Sequence, residues 1–185
     1  SEGSDQLFTA YEIVDGDRQE VSFNTSGNQA GAANNQVNSD QGIRIEFVKN
    51  GAYDPGTNGR NGTPESYSFE GYELVNGAVG VINLADNKTS SIKVSTLDVS
   101  SDELSSSSTI DPISRIIIQG VVYDRPSGLD AENAQPILSS DGFVKWGADG
   151  TVTILNVSGN SDGEVRIETF TLNGFGAIEY ANVEG

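Results

Sequence analysis

The chain has 185 residues, 27 acidic and 10 basic, for a formal net charge of −17, and it contains no histidine, cysteine or methionine. Those absences remove the usual base of a serine nucleophile, the common nitrogen and sulfur ligands of zinc, and every disulfide, while the charge opposes nucleic acid and anionic membrane surfaces. What remains is an inventory of oxygen donors, Asp, Glu, Asn and backbone carbonyl, which hard cations and Ca²⁺ above all prefer.

Twenty-two glycines, abundant Ser, Thr and Asn, and few good helix formers read as an all-β chain with many turns. Near the start, Leu7, Thr9, Tyr11 and Ile13 alternate with Phe8, Ala10, Glu12 and Val14, so both faces of a first strand are expected to be partly buried. Asp15-Gly16-Asp17 then turns the chain into Val21-Ser22-Phe23. From Asn24 to Gln41 large apolar side chains almost vanish, which predicts a long loop of the kind that carries function. Ile43 to Phe47 is the clearest alternating strand, with Ile43, Ile45 and Phe47 facing inward. A second polar loop runs from Lys49 to Glu65. Tyr67-Ser68-Phe69 with Tyr72-Glu73-Leu74 reads as a strand, Val75-Asn76-Gly77 as a turn, and Val79 to Ile82 as the next strand, ended by Asp86-Asn87.

Ile92, Val94 and Thr96 begin another strand, and Ser100 to Asp111 is a Ser-rich loop. The apolar run from Arg115 to Tyr123 predicts one continuous central strand covered on both faces. After an Asp124–Asn133 loop, four strands close the chain: Phe143–Trp146, Val152–Val157, Val165–Leu172 and Ala177–Val183. The expected fold is an antiparallel two-sheet β-sandwich with long polar, calcium-binding loops, forming a single domain over residues 1–185. No apolar run approaches the length of a membrane span and nothing resembles a signal peptide. An opening at Ser1 rather than Met suggests a piece of a larger secreted protein.

Calcium calls for short acidic turns whose carboxylates and carbonyls converge. Asp15-Gly16-Asp17, Asn38-Ser39-Asp40, Asp54 to Asn58, Asp124 with Asp130 and Asn133, and Asn160 to Glu164 all offer them. From these, Asp40, Asp54, Asn58, Asp124, Asp130 and Asn133 are the candidate metal ligands. None completes an EF-hand loop, and Asp, Asn and Gly are equally the ordinary residues of turns. Tyr53, Arg60, Tyr67, Tyr123 and Arg125 lie in or beside the two polar loops and are the candidate ligand contacts, by stacking and by bidentate pairing with carboxylates. The competing reading puts Tyr67 and Tyr123 at strand ends with hydroxyls at the rim and makes the arginines local counter-charges. Trp146 belongs to the core. Paired carboxylates suited to glycoside hydrolysis arise by chance among 27 acids, so no enzymatic role is expected. The Asn-x-Ser/Thr triplets at Asn24, Asn61, Asn87 and Asn156 are set aside as chance products of an Asn- and Ser-rich chain.

Three stretches carry a family resemblance: Ser39-Asp40-Gln41-Gly42-Ile43-Arg44-Ile45-Glu46-Phe47-Val48, then Tyr67-Ser68-Phe69-Glu70-Gly71-Tyr72 after a Gly/Asn loop, and the closing Phe175-Gly176-Ala177-Ile178-Glu179-Tyr180. Together they resemble the peptide-binding domain near the C-terminal end of giant bacterial RTX adhesins exported by type I secretion. The resemblance implies a calcium-dependent β-sandwich module, extracellular on a bacterial surface among neighbouring adhesin domains. It also implies a grip on the C-terminal end of a peptide or protein on another cell, with bound calcium meeting the ligand's carboxylate. A lectin-like module binding glycans through calcium and a purely structural extender domain are the alternatives. The two unpatterned loops favour a binder, because a spacer gains nothing from them.

Overall fold

The computed structural model describes residues 5–21, 23–26, 29–32, 37–54, 66–84, 89–99, 109–158 and 163–184, with 5, 23–26, 29–32, 53–54, 66–67 and 184 described by backbone alone. All regular structure among the described residues is strand, and no helix there is long and apolar enough to cross a membrane. The first half holds β1 (Asp5–Val14), β2 (Asp17–Val21), β3 (Phe23–Ser26), β4 (Gln29–Ala32), β5 (Gln41–Lys49), β6 (Ala52–Asp54), β7 (Ser66–Ser68), β8 (Gly71–Tyr72) and β9 (Val75–Asn83). The second half holds β10 (Ser90–Asp98), β11 (Thr109–Ile110), β12 (Ile113–Ile118), β13 (Val121–Asp124), β14 (Ile137–Leu138), β15 (Val144–Trp146), β16 (Val152–Val157), β17 (Glu164–Phe175) and β18 (Ala177–Glu184).

Two antiparallel sheets organise these strands. The large one runs β14-β15-β16-β10-β18-β5-β1-β2, with β11 added beside β10 and β8 beside β5, and the small one runs β13-β12-β17-β9. One apolar cluster lies between them, drawing Ile113, Ile116, Val165 and Ile167 from the small sheet and Phe47, Val94, Trp146, Val152, Ile154 and Ile178 from the large one. Two sheets sharing a core in this way make the β-sandwich read from the alternating pattern. Trp146 is buried in that core, as expected.

Turn chemistry sets several registers. Asp15 and Gly16 both take positive φ (52° and 86°), the geometry of a two-residue hairpin turn, and Val14 pairs with Asp17 across it. Gln119 and Gly120 do the same (52° and 82°) between Ile118 and Val121. This second turn corrects the expectation of one continuous central strand from Arg115 to Tyr123. The apolar run is instead a hairpin of β12 and β13, and β13 is an edge strand that exposes Val121 and Val122. Gln119-Gly120 interrupts the apolar run, and with glycine at one of the two positive-φ positions it supplies the tight turn that divides one strand into two.

Other departures are of the same kind. The segment Asn24–Gln41 contains the hairpin β3–β4 rather than being loop throughout, and Lys49–Glu65 contributes β6, whose Tyr53 and Asp54 pair with Tyr67 and Ser66 of β7. Val75-Asn76-Gly77 is the beginning of β9 rather than a turn, because Gly77 lets the Phe170 ring of β17 lie against its backbone; a Cβ there would sit 2.8 Å from that ring.

Phe175 is fully buried and meets the Phe47 ring edge-on at 5.9 Å between centroids, joining the two sheets. Phe175→Ala is expected to cost about 3–5 kcal/mol in urea unfolding. Leu172→Ala, on the same strand but 82% exposed, should stay within about 0.5 kcal/mol of the parent. Equal effects of the two substitutions would contradict this placement of the core.

Candidate functional site

Tyr123, Asp124, Arg125, Asp130 and Asn133 lie on or just after β13, where the chain leaves the small sheet and passes beside the β14–β15 hairpin. The Tyr123 hydroxyl donates to Asp141 Oδ2 at 2.6 Å, while Asp141 Oδ1 accepts from Ser139 Oγ at 2.6 Å and from the Phe143 N–H at 3.0 Å. The serine hydroxyl, with Tyr123 and the Phe143 amide, holds the Asp141 carboxyl below its ordinary range. Arg125 reaches Asp130 at 3.5 Å and donates to the Gly147 carbonyl at 3.5 Å. Tyr123 and Arg125 therefore stitch this loop to the neighbouring hairpin, which is close to the competing reading of these two residues as rim tyrosine and local counter-charge.

Asp124 turns to the other side of β13. Its two carboxylate oxygens accept from Arg115 Nε (2.6 Å) and Nη2 (3.2 Å) on β12, an exposed bidentate pair. Asn133 is exposed and takes a positive φ of 60°. Asp40 occupies a separate place, a positive-φ turn (64°) leading into β5, where its N–H donates to the Asn182 carbonyl and its carbonyl accepts from the Ile13 N–H. The structure thus gathers Tyr123, Arg125 and Asp130 and leaves Asp40 on another turn. Tyr53, Asp54 and Tyr67 are placed by their backbones on the β6–β7 hairpin, and Asn58 and Arg60 lie outside the described residues.

Among the described residues no three acidic side chains converge. Asp124 and Asp130 are each engaged by an arginine, so a cation at either would compete with a guanidinium. The donor that best suits a hard cation is Asp111, whose Oδ2 is buried without a hydrogen-bond partner among the described residues. Its backbone carbonyl accepts from Thr96 Oγ1 at 2.6 Å. A carboxylate oxygen in that position fits calcium chemistry.

The most heavily buried polar cluster is one the sequence reading passed over. On the face of the large sheet turned away from the small one, Arg44 and Glu46 of β5 are 3% and 0% exposed. Arg44 Nε donates to Glu46 Oε1 at 2.6 Å, and Nη1 to Glu179 Oε2 of β18 at 3.4 Å. Arg18 of β2 grips the same Glu179 with both terminal nitrogens and lies over the Tyr11 ring, 3.7 Å from its centroid. The Tyr72 hydroxyl donates to Glu46 Oε2 at 3.0 Å. Burial pushes the Glu46 carboxyl above its usual range, against the pull of Arg44 and Tyr72. Burial, and then the Glu179 charge, pushes Tyr11 up to about 12. The signal was present in Arg44-Ile45-Glu46, where two charges interleave with core residues. Strand alternation assigns such residues to solvent unless something covers the second face.

No family model, curated protein or solved structure matches the chain.

Two measurements check this geometry. Glu179→Ala leaves Arg18 and Arg44 without their shared carboxylate and should destabilise the fold by about 3–5 kcal/mol; a loss comparable to that of an exposed ion pair would contradict the buried cluster. In an alkaline titration followed by tyrosinate absorbance, Tyr11 and Tyr123, both pushed up to about 12 and both led by burial, should stay protonated past their ordinary value of 10.0. Because their folded values are raised, the stability they contribute is complete below the unfolded value and is lost as pH rises through the folded one. Unfolding should therefore accompany their ionisation, and full titration of all six tyrosines near the ordinary value in a folded protein would overturn the assignment.

Proposed function

We propose that this chain is a non-catalytic, calcium-dependent binding module of a bacterial surface adhesin, taking the C-terminal end of a peptide or protein on another cell. The observation that carries the reading is the side-chain inventory: 27 carboxylates, no histidine and no cysteine leave hard-cation chemistry as the natural specialisation. The two-sheet antiparallel frame is compatible with it, since such sandwiches present binding segments between rigid strands. The resemblance of residues 39–48, 67–72 and 175–180 to the adhesin peptide-binding domain supplies the ligand class, an extracellular setting and neighbouring domains in one larger chain.

The chemistry is self-consistent. A protein of charge −17 repels an anionic ligand at long range. A calcium ion with open coordination positions reverses that locally and accepts a carboxylate as an inner ligand. Asp40, Asp54, Asn58, Asp124, Asp130 and Asn133 remain the proposed oxygen donors, with Tyr53, Arg60, Tyr67, Tyr123 and Arg125 as the proposed ligand contacts. Asp111 joins them on the strength of its buried Oδ2, which has no hydrogen-bond partner among the described residues.

Calcium that binds only the folded state should raise stability by about 2.7 kcal/mol at a hundred times Kd. A melting curve unmoved between millimolar calcium and excess EDTA would remove the calcium reading. Calorimetry in saturating calcium with matched free-acid and C-amidated peptides then tests the ligand, because amidation removes the charge that calcium receives. Binding should be confined to the free acid. Equal binding of both forms would sink the carboxylate mechanism, binding of glycans alone would establish a lectin, and binding of neither would leave an extender domain.

A further inference from the structure

The outer face of the large sheet carries a second feature, at the end opposite β2. A groove of about 440 Å³ is lined there by Lys93, Lys145, Thr151, Thr153, Leu155 and Val183, among others. Register places three of these side by side: Lys145 of β15 pairs with Thr153 of β16, which pairs with Lys93 of β10. Two strand spacings separate the lysine backbones, about 10 Å, and flexible four-carbon stems let both ammonium groups close on the threonine between them.

All five arginines among the described residues are ion-paired with carboxylates, whereas neither Lys93 nor Lys145 forms an ion pair there. Asp149 is the acidic residue of the groove's lining. Its Oδ1 already accepts from the Thr151 N–H (3.1 Å) and hydroxyl (2.7 Å). Burial pushes the Asp149 carboxyl up, but the Thr151 bonds and the Lys93 charge outweigh it and hold the group below its ordinary range. In a chain of net charge −17, two lysines flanking one intervening strand and facing the lone carboxylate of the groove's lining, Asp149, make a local reversal of sign. Leu155 and Val183 supply apolar surface in the same groove.

We infer that this groove is a carboxylate-binding site, which takes the terminal carboxylate of a peptide between Lys93 and Lys145 and its last aliphatic side chain against Leu155 and Val183. The inference deepens the peptide-end reading and rests on it for the choice of ligand. In this arrangement the lysines receive the carboxylate in place of a calcium ion, so the groove and the calcium requirement are tested separately.

The test is an amide-resolved NMR titration of the whole chain in EDTA, with N-acetyl-leucine, N-acetyl-leucinamide and sulfate as probes. N-acetyl-leucine should shift the amides of Lys93, Lys145, Thr151 and Thr153 saturably, and its amide should not. Lys93→Gln with Lys145→Gln should weaken binding by about tenfold or more, the scale of losing charged hydrogen bonds, while Lys93→Arg with Lys145→Arg should retain it. Equal responses to sulfate and N-acetyl-leucine would overturn the apolar part of the site. No shift in EDTA, or shifts that survive the double Gln variant, would overturn the groove as a carboxylate site. Groove shifts in EDTA alongside a melting curve indifferent to calcium would uphold the groove and remove the calcium reading. Peptide binding seen only with calcium, with the groove amides unmoved, would do the reverse.

Discussion

The large sheet depends on β18. That strand lies between β5 and β10, so it joins the N-terminal block β2-β1-β5 to the block β10-β16-β15-β14. Without it neither block has a neighbour to cover its edge, and the apolar cluster loses Ile178 and Tyr180 from its centre. A segment from the far end of the chain thus closes contacts spanning most of the sequence. Arg18 and Glu179 alone are 161 residues apart. Such non-local pairing makes ordering the large sheet costly in chain entropy until the last strand arrives.

The buried charges ensure that β18 docks in one register. Glu179 pairs across the strands with Arg44, and Ile178 with Ile45, so charges and aliphatics alternate together on both strands. A slip of one residue would drive Glu179 toward the apolar core and turn Ile178 to the charged face. Two arginines and two glutamates make the cluster of Arg18, Arg44, Glu46 and Glu179 formally neutral, which limits the cost of burying it. Gly42 contributes at the same face, where the Tyr11 ring occupies the space a Cβ would need. The ring over that glycine is also the one that Arg18 covers.

Charge is distributed unevenly over this frame, and the unevenness bears on function. Among the described residues arginine goes to internal and local pairs, such as Arg44 with Glu46 and Arg115 with Asp124, whereas Lys93 and Lys145 share one patch of the outer face with Asp149. An anionic ligand approaching a surface of net −17 meets repulsion except where a cation, bound or covalent, reverses the sign. The proposed calcium at acidic loops and the proposed lysine groove on the sheet are two physical answers to that problem, and they differ in what removes them. Chelation acts on the first and neutral substitution on the second.

The sequence by itself determined the class of the fold, the positions of β5, β10 and the last four strands, the core placement of Trp146, and the exclusion of histidine- and thiolate-based chemistry. Those conclusions follow from local periodicity and composition, which need no knowledge of neighbours. Only the tertiary structure decided that Arg115 to Tyr123 is a hairpin, because the turn rests on positive φ at Gln119, a residue type that does not announce it. It alone buried Arg44, Glu46 and Glu179, since alternation says which residues share a face but not whether that face is covered. It also separated Asp40 from Asp124 and Asp130, and set Lys93 beside Lys145 through a threonine on an intervening strand. Residues 52 positions apart in the chain become neighbours only through strand order, and strand order is settled by long-range pairing rather than by any local pattern.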